Sequence, residues 1–195
     1  HALEGELDNI DALYDLGFRM MSLQHFFDNR LGGSLHGVSQ AGLTSFGRDA
    51  VLRMVQKNII IDLSHSSEAV VKDVLDLIKK PVVISHTGLQ GHCQTKRNIS
   101  DALMADIASR GGLIAIGYWD AAVCGSTPAD VADAIVYGIS LVGEDHLALG
   151  SDYDGAITTS FDTSELAALT HELLSKGVTE QQIGKIMGGN MLSFL

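Results

Sequence analysis

Basic charge is what this chain has least of: 13 Lys and Arg stand against 24 Asp and Glu, a net charge of −11. A protein that neutralises phosphates needs a basic face, so a general nucleic-acid binder is excluded, as is a polybasic membrane-surface module. Long apolar runs are lacking too. The longest, Leu113 to Trp119, falls far short of the ~20 residues that span a bilayer, and no secretory leader stands out. Cysteine is limited to Cys93 and Cys124, without the spacing of a structural zinc knuckle. The pair reads equally as one disulfide in an exported protein or as two free thiols in a cytosolic one. A Gly-x-Gly-x-x-Gly turn, a P-loop and a Gly-x-Ser-x-Gly elbow are all missing, which removes nucleotide-binding doubly wound sheets and the commonest α/β serine hydrolases. What is present is 195 residues, 46% hydrophobic and 19% charged, enough for one domain with a sizeable core. The chain opens on His1 and not on Met, so it reads as the inside of a longer product.

Caps and short apolar runs alternate along the chain. Strands are expected at Phe18–Leu23, Asn58–Leu63, Pro81–Ser85, Leu113–Tyr118 and His146–Ser151. Helices are expected over about 45–57, from Ser66 or Ser67 through Ile78, over 100–110, from Thr127 with Pro128 to Val142, from Thr163 or Ser164, and from Thr179, with Gly188-Gly189 as the last stop. Strands that alternate with helices predict an α/β chain with a parallel sheet.

The polar residues sit where the strands end. Phe18–Leu23 runs into Gln24-His25, the strand at Ile59 to Leu63 into Ser64-His65, Pro81–Ile84 into Ser85-His86, and His146–Gly150 into Ser151-Asp152-Tyr153-Asp154-Gly155. In a parallel barrel that C-terminal rim is the active-site face. Three imidazoles and a carboxylate there suit a divalent transition metal, zinc first. A single such His is an ordinary loop residue, but "DLSH" and "VISH" repeat one setting 21 residues apart. His36, His146 and His171 occupy no repeated setting and read as surface or core histidines.

Seven segments, "LYDLGFRMMSLQHFFDN", "GLTSFGRDAV", "IIDLSHSS", "PVVISHT", "CQTKRNISD", "GSDYDG" and "GGNMLSFL", together resemble, in this order, the renal (membrane) dipeptidase family, the M19 metallopeptidases. The resemblance runs over 1–195, read as a single partial domain. It implies the metal-dependent-hydrolase form of the (β/α)8 barrel, incomplete here with its first strands missing: five strands are counted where the barrel has eight. It also implies zinc-dependent hydrolysis of dipeptides, tolerant of a D-residue. Carried over by position, His65 and His86 match two ligands of one zinc, and His25 the histidine at the scissile carbonyl. Arg97 matches the clamp on the substrate carboxylate, Asp152 the proton shuttle, and Tyr118 or Trp119 an aromatic substrate wall. Cys93 and Cys124 fall close to a disulfide of mammalian members, which leaves an extracytoplasmic location open.

The departures bear on the metal. The family's two zincs also use a His-x-Asp pair and a bridging Glu in a Glu-Gly motif, and the chain has no His-x-Asp. Glu4-Gly5 is out of register for the Glu, while His1 matches a histidine just after that motif. One partial zinc site remains, and the isolated chain is expected to be inactive. A small dipeptide is the expected partner, a homodimer is compatible, and neither nucleic acid nor a membrane span is expected. The alternatives are another metal-dependent hydrolase, an N-acyl amino-acid deacylase or lactonase, or a non-catalytic remnant of the barrel.

Overall fold

The computed structural model describes residues 2–195; His1, and with it the match to the histidine after the Glu-Gly motif, lies outside the described residues. The chain divides into two compact units, His1–Val83 and Ile84–Leu195.

The first unit holds α1 (Asp8–Asp15), β1 (Met20–Ser22), α2 (Ser45–Gln56), β2 (Ile60–Asp62) and α3 (Glu68–Leu77). β1 and β2 are parallel, with Met20 opposite Ile60 and Ser22 opposite Asp62. Val83, which opens β3 (Val83–Thr87), continues the ladder opposite Asp62. Thr44 starts α2, its hydroxyl accepting from the Gly47 amide at 2.9 Å, which satisfies one orphan donor of the first turn. Residue 47 must be glycine, because a Cβ there would lie 2.0 Å from the Leu31 carbonyl oxygen. Ser67 caps α3 in the same way. The repeat Val70, Val71, Val74, Leu75 then turns one fully buried face inward, each such side chain contributing roughly 1.5–3 kcal/mol over exposure. α1 is tied to α2 by Asp11, which pairs with Arg53 and with Lys57 at 2.9 Å. Hydrogen bonds from Arg53 and then Lys57 hold the Asp11 carboxyl at about 2, below its ordinary 3.8.

The second unit holds the rest of β3 with α4 (Asp101–Ser109), β4 (Leu113–Ile116), α5 (Asp120–Val123), α6 (Pro128–Val142), β5 (Leu147–Leu149), α7 (Leu166–Ser175), α8 (Glu180–Gly184) and α9 (Asn190–Phe194). All four residues of β4 are buried, as a parallel strand covered on both faces requires. β4 pairs with β5 in parallel, Ile114 opposite Leu147. Just past β4, the Gly117 amide donates to the Thr87 carbonyl at 2.8 Å. α6 spans Pro128–Val142 as expected from Thr127 and Pro128, and a Thr127–Asp130 capping box closes its first turn. No helix among the described residues is long and apolar enough to cross a membrane.

The five expected strands are present and their pairings are parallel, with differences at the edges. β3 starts two residues later than expected, at Val83, since Pro81 has no N–H for a ladder. His86 therefore lies within the strand. Gly188 kinks the last helical stretch, which resumes as α9 instead of stopping. His146 closes a 3-10 turn over Glu144–His146, and the strand begins after it.

Candidate active site

In the first unit the ends of β1 and β2 bring two of the expected residues together. The backbone pairing stops at Ser22 and Asp62. Beyond it, His65 takes a left-handed conformation, φ 63°, and is buried at 6% exposure, while His25 is exposed. Their rings meet edge to face with centroids 4.6 Å apart. The loop after β1 returns over them: the Ser34 hydroxyl donates to the His25 carbonyl, and the Leu35 amide donates to the His65 carbonyl at 2.7 Å. That loop is itself held by Asp28, whose carboxylate accepts from the amides of Ser34, Val38 and Ser39. These bonds, the Ser39 and Ser34 amides foremost, draw the Asp28 carboxyl below its ordinary range.

The loop also delivers a third imidazole. His36 lies 5.3 Å from the His65 ring, and Phe26 stands 4.3 Å from His25, 5.1 Å from His36 and 5.4 Å from His65. Neither residue was expected here. Each lies off the strand-end pattern, and the one sequence signal was their place on the Gly-rich segment between β1 and α2. Beside the cluster is a cavity of about 450 Å³, lined by Met21, Leu23, Phe27 and Met54 together with Gln24 and His25.

In the second unit β3 presents His86, whose Nδ1 lies 2.9 Å from the Ser85 hydroxyl. Arg97 is 7% exposed. Its Nη2 donates to the His86 carbonyl at 2.8 Å, and its guanidinium carbon lies 5.3 Å from the Trp119 ring centroid, within cation–π range. The segment that carries Arg97 is sewn down on both sides. Cys93 and Cys124 form a disulfide and are not two free thiols. Asn98 donates to the carbonyls of Cys93 and Ala122, each at 2.8 Å, and the Thr95 hydroxyl donates to the Ala121 carbonyl at 2.6 Å.

Of the two aromatic candidates, Trp119 is the one at Arg97. Tyr118 is 1% exposed, stacked on Phe161 at 4.9 Å and edge-on to Tyr153. Burial there pushes its phenol well above the ordinary value. Asp152 occupies a half-buried turn after β5 with φ 58°, closed by the Gly155 amide on its carbonyl at 2.8 Å. A Cβ on residue 155 would lie 2.6 Å from the Asp152 carboxylate. His146 bonds the Gly112 carbonyl through Nδ1, a structural contact.

His65, in the first unit, and His86, in the second, are the imidazoles that the resemblance matched to zinc ligands. Among the described residues no group of three or more His, Cys, Asp or Glu side chains is disposed to hold a metal ion. The donors among the described residues therefore do not complete a zinc site.

Residues 1–195 match the model of one protein family, membrane dipeptidase (peptidase family M19). The chain is 32% identical to dipeptidase aclJ of Aspergillus oryzae, over 100% of this chain and 49% of that protein. It spans about half the length of the curated relatives it matches. A solved amidohydrolase from Pseudomonas aeruginosa superposes with a TM-score of 0.91 at 27% identity, over 100% of this chain and 69% of that one. A metallo peptidase from Rhodobacter sphaeroides, solved with a phosphinate mimic of the dipeptide L-Ala-D-Ala, gives 0.85 at 26% identity, over 97% and 58%. The fold class agrees with the one read from the sequence, an incomplete α/β barrel with parallel strands.

Proposed function

The chain belongs to the membrane dipeptidase family, peptidase family M19, and from that premise we propose that the protein it comes from hydrolyses the peptide bond of dipeptides. The observation that carries this reading is Arg97, a buried guanidinium fixed by the His86 carbonyl and the Trp119 face. A guanidinium offers two parallel N–H groups to a carboxylate. A clamp of this kind on the terminal carboxylate of a substrate limits it to short peptides. It reads charge and planarity rather than the handedness of the neighbouring carbon, so a D-residue is accepted at the C-terminal position.

In the reaction a water adds to the scissile carbonyl carbon, and His25 donates a ring N–H hydrogen bond to the carbonyl oxygen, stabilising the negative charge that develops there. Asp152 takes the proton released by that water and passes it to the amine as the C–N bond breaks. Trp119 is the aromatic wall beside the carboxylate clamp. Zinc belongs to this reading, with His65 and His86 as two of its donors. Because those two do not complete a site, no step is derived through the metal, and the chain alone is expected to show no turnover. The disulfide supports an oxidising compartment. Arg97 argues against a lactonase, since a lactone brings no free carboxylate to it. A deacylase would keep the carboxylate and dispense with the free amine.

Titration of the chain with Ala-D-Ala and with its C-terminal amide, followed on the Arg97 side-chain N–H resonance, tests the reading. The dipeptide is expected to shift that resonance and the amide to leave it in place. An equal response to both would overturn the carboxylate clamp.

A further inference from the structure

The β1–β2 ladder ends at Ser22 opposite Asp62, yet His25 and His65, three residues further along each strand, still hold their rings 4.6 Å apart. The chain has left regular strand geometry by then, since His65 is left-handed. Something other than the ladder sets the ring separation. We infer that Gln24 is a positioning residue: through one buried hydrogen bond to Ser66 it holds His25 at its approach to His65.

Gln24 immediately precedes His25 and Ser66 immediately follows His65. The Ser66 hydroxyl donates to Gln24 Oε1 at 2.6 Å, with Gln24 at 3% exposure and Ser66 at 0%. One side-chain bond thus joins the two ring-bearing turns, and the low-dielectric surroundings strengthen it. Ser34 adds a second tie: its hydroxyl holds the His25 carbonyl, and its backbone bridges Ser66. The Nε2 of Gln24 is buried without a hydrogen-bond partner. A buried polar group left half satisfied is costly, and an apolar side chain would fill the space without that cost. What the amide supplies and an apolar group cannot is the directional bond to Ser66.

The inference rests on the proposed role of His25, but its test needs neither substrate nor metal. In histidine-labelled protein, the cross-relaxation between His25 and His65 ring protons reports their separation directly. Gln24→Met keeps the shape of the side chain and removes the bond, and Ser66→Ala removes it from the other side. Each is expected to weaken the ring-to-ring signal severalfold, and the double variant no more than either single one. Ser66→Thr, which keeps the hydroxyl, is expected to retain it. An unchanged signal in Gln24→Met or Ser66→Ala would overturn the inference, and so would its loss in Ser66→Thr, whatever happens to the melting temperature. Failure of Arg97 to respond to dipeptides would refute the dipeptidase reading and leave this series interpretable.

Discussion

The two units present their functional side chains in opposite ways. In the second, Arg97 is buried, and its segment is fastened by a disulfide, by Asn98 on two carbonyls and by Thr95 on a third. In the first, His25 and His36 are exposed rings over one buried His65, on a segment held by hydrogen bonds from Ser34 and Leu35 and to Asp28. The contrast follows from the chemistry assigned to each. A guanidinium that must meet a planar carboxylate in one geometry gains from being fixed beforehand. On the proposed reading His25 must stay accessible to substrate, and both it and Arg97 lie on loops that follow their strands.

Removal of Arg97 should separate the units most sharply. Arg97→Ala is expected to weaken dipeptide binding by about thirty-fold or more, as for truncation of one partner of a desolvated charge pair. Arg97→Lys should recover only part of it, since a point charge replaces the fork. Neither should alter the His25–His65 ring contact, as paired titrations and spectra of the same samples would show.

The next effect is on stability. Replacing Cys93 and Cys124 by serine should cost roughly 2–4 kcal/mol in chemical denaturation, the usual range for a loop of this size. It should also blunt the Arg97 response to dipeptide while the histidine cluster of the first unit is unchanged. Equal damage to both sites would erase the comparison.

The smallest effect belongs to the surface of the first unit. The Asp11 carboxyl is lowered in the folded state to about 2 by Arg53 and Lys57. Its contribution is therefore fully present above the ordinary 3.8 and is lost as pH falls from there through about 2. Asp11→Asn should lower the melting temperature slightly at neutral pH, and the gap to the native chain should close in acid.

Much of this molecule is legible from local sequence. Thr127 with Pro128 and the apolar repeat from Val70 to Leu75 place α6 and α3 without tertiary information. The same holds for His65 just past β2, whereas His86 falls inside β3 and not beyond its end. What escapes is non-local. α1 buries only Ile10 and is held by ion pairs to residues some forty positions away. His36 joins the ring cluster because Asp28 folds its loop back, and that bond pattern leaves no periodic mark. Gln24 reads as one more polar residue after a strand; its value depends on Ser66, 42 residues later. The disulfide was undecidable because two cysteines bond or stay free according to the redox compartment, which local sequence does not state.

The account combines the carboxylate clamp proposed at Arg97 with too few donors to complete a zinc site among the described residues, and zinc stoichiometry tests the second half directly. The chain would be dialysed against buffered zinc and its metal content determined by elemental analysis, with dipeptide turnover assayed on the same sample. The account predicts well under one retained zinc per chain and no turnover. Two zincs per chain, with turnover abolished by a chelator, would contradict it.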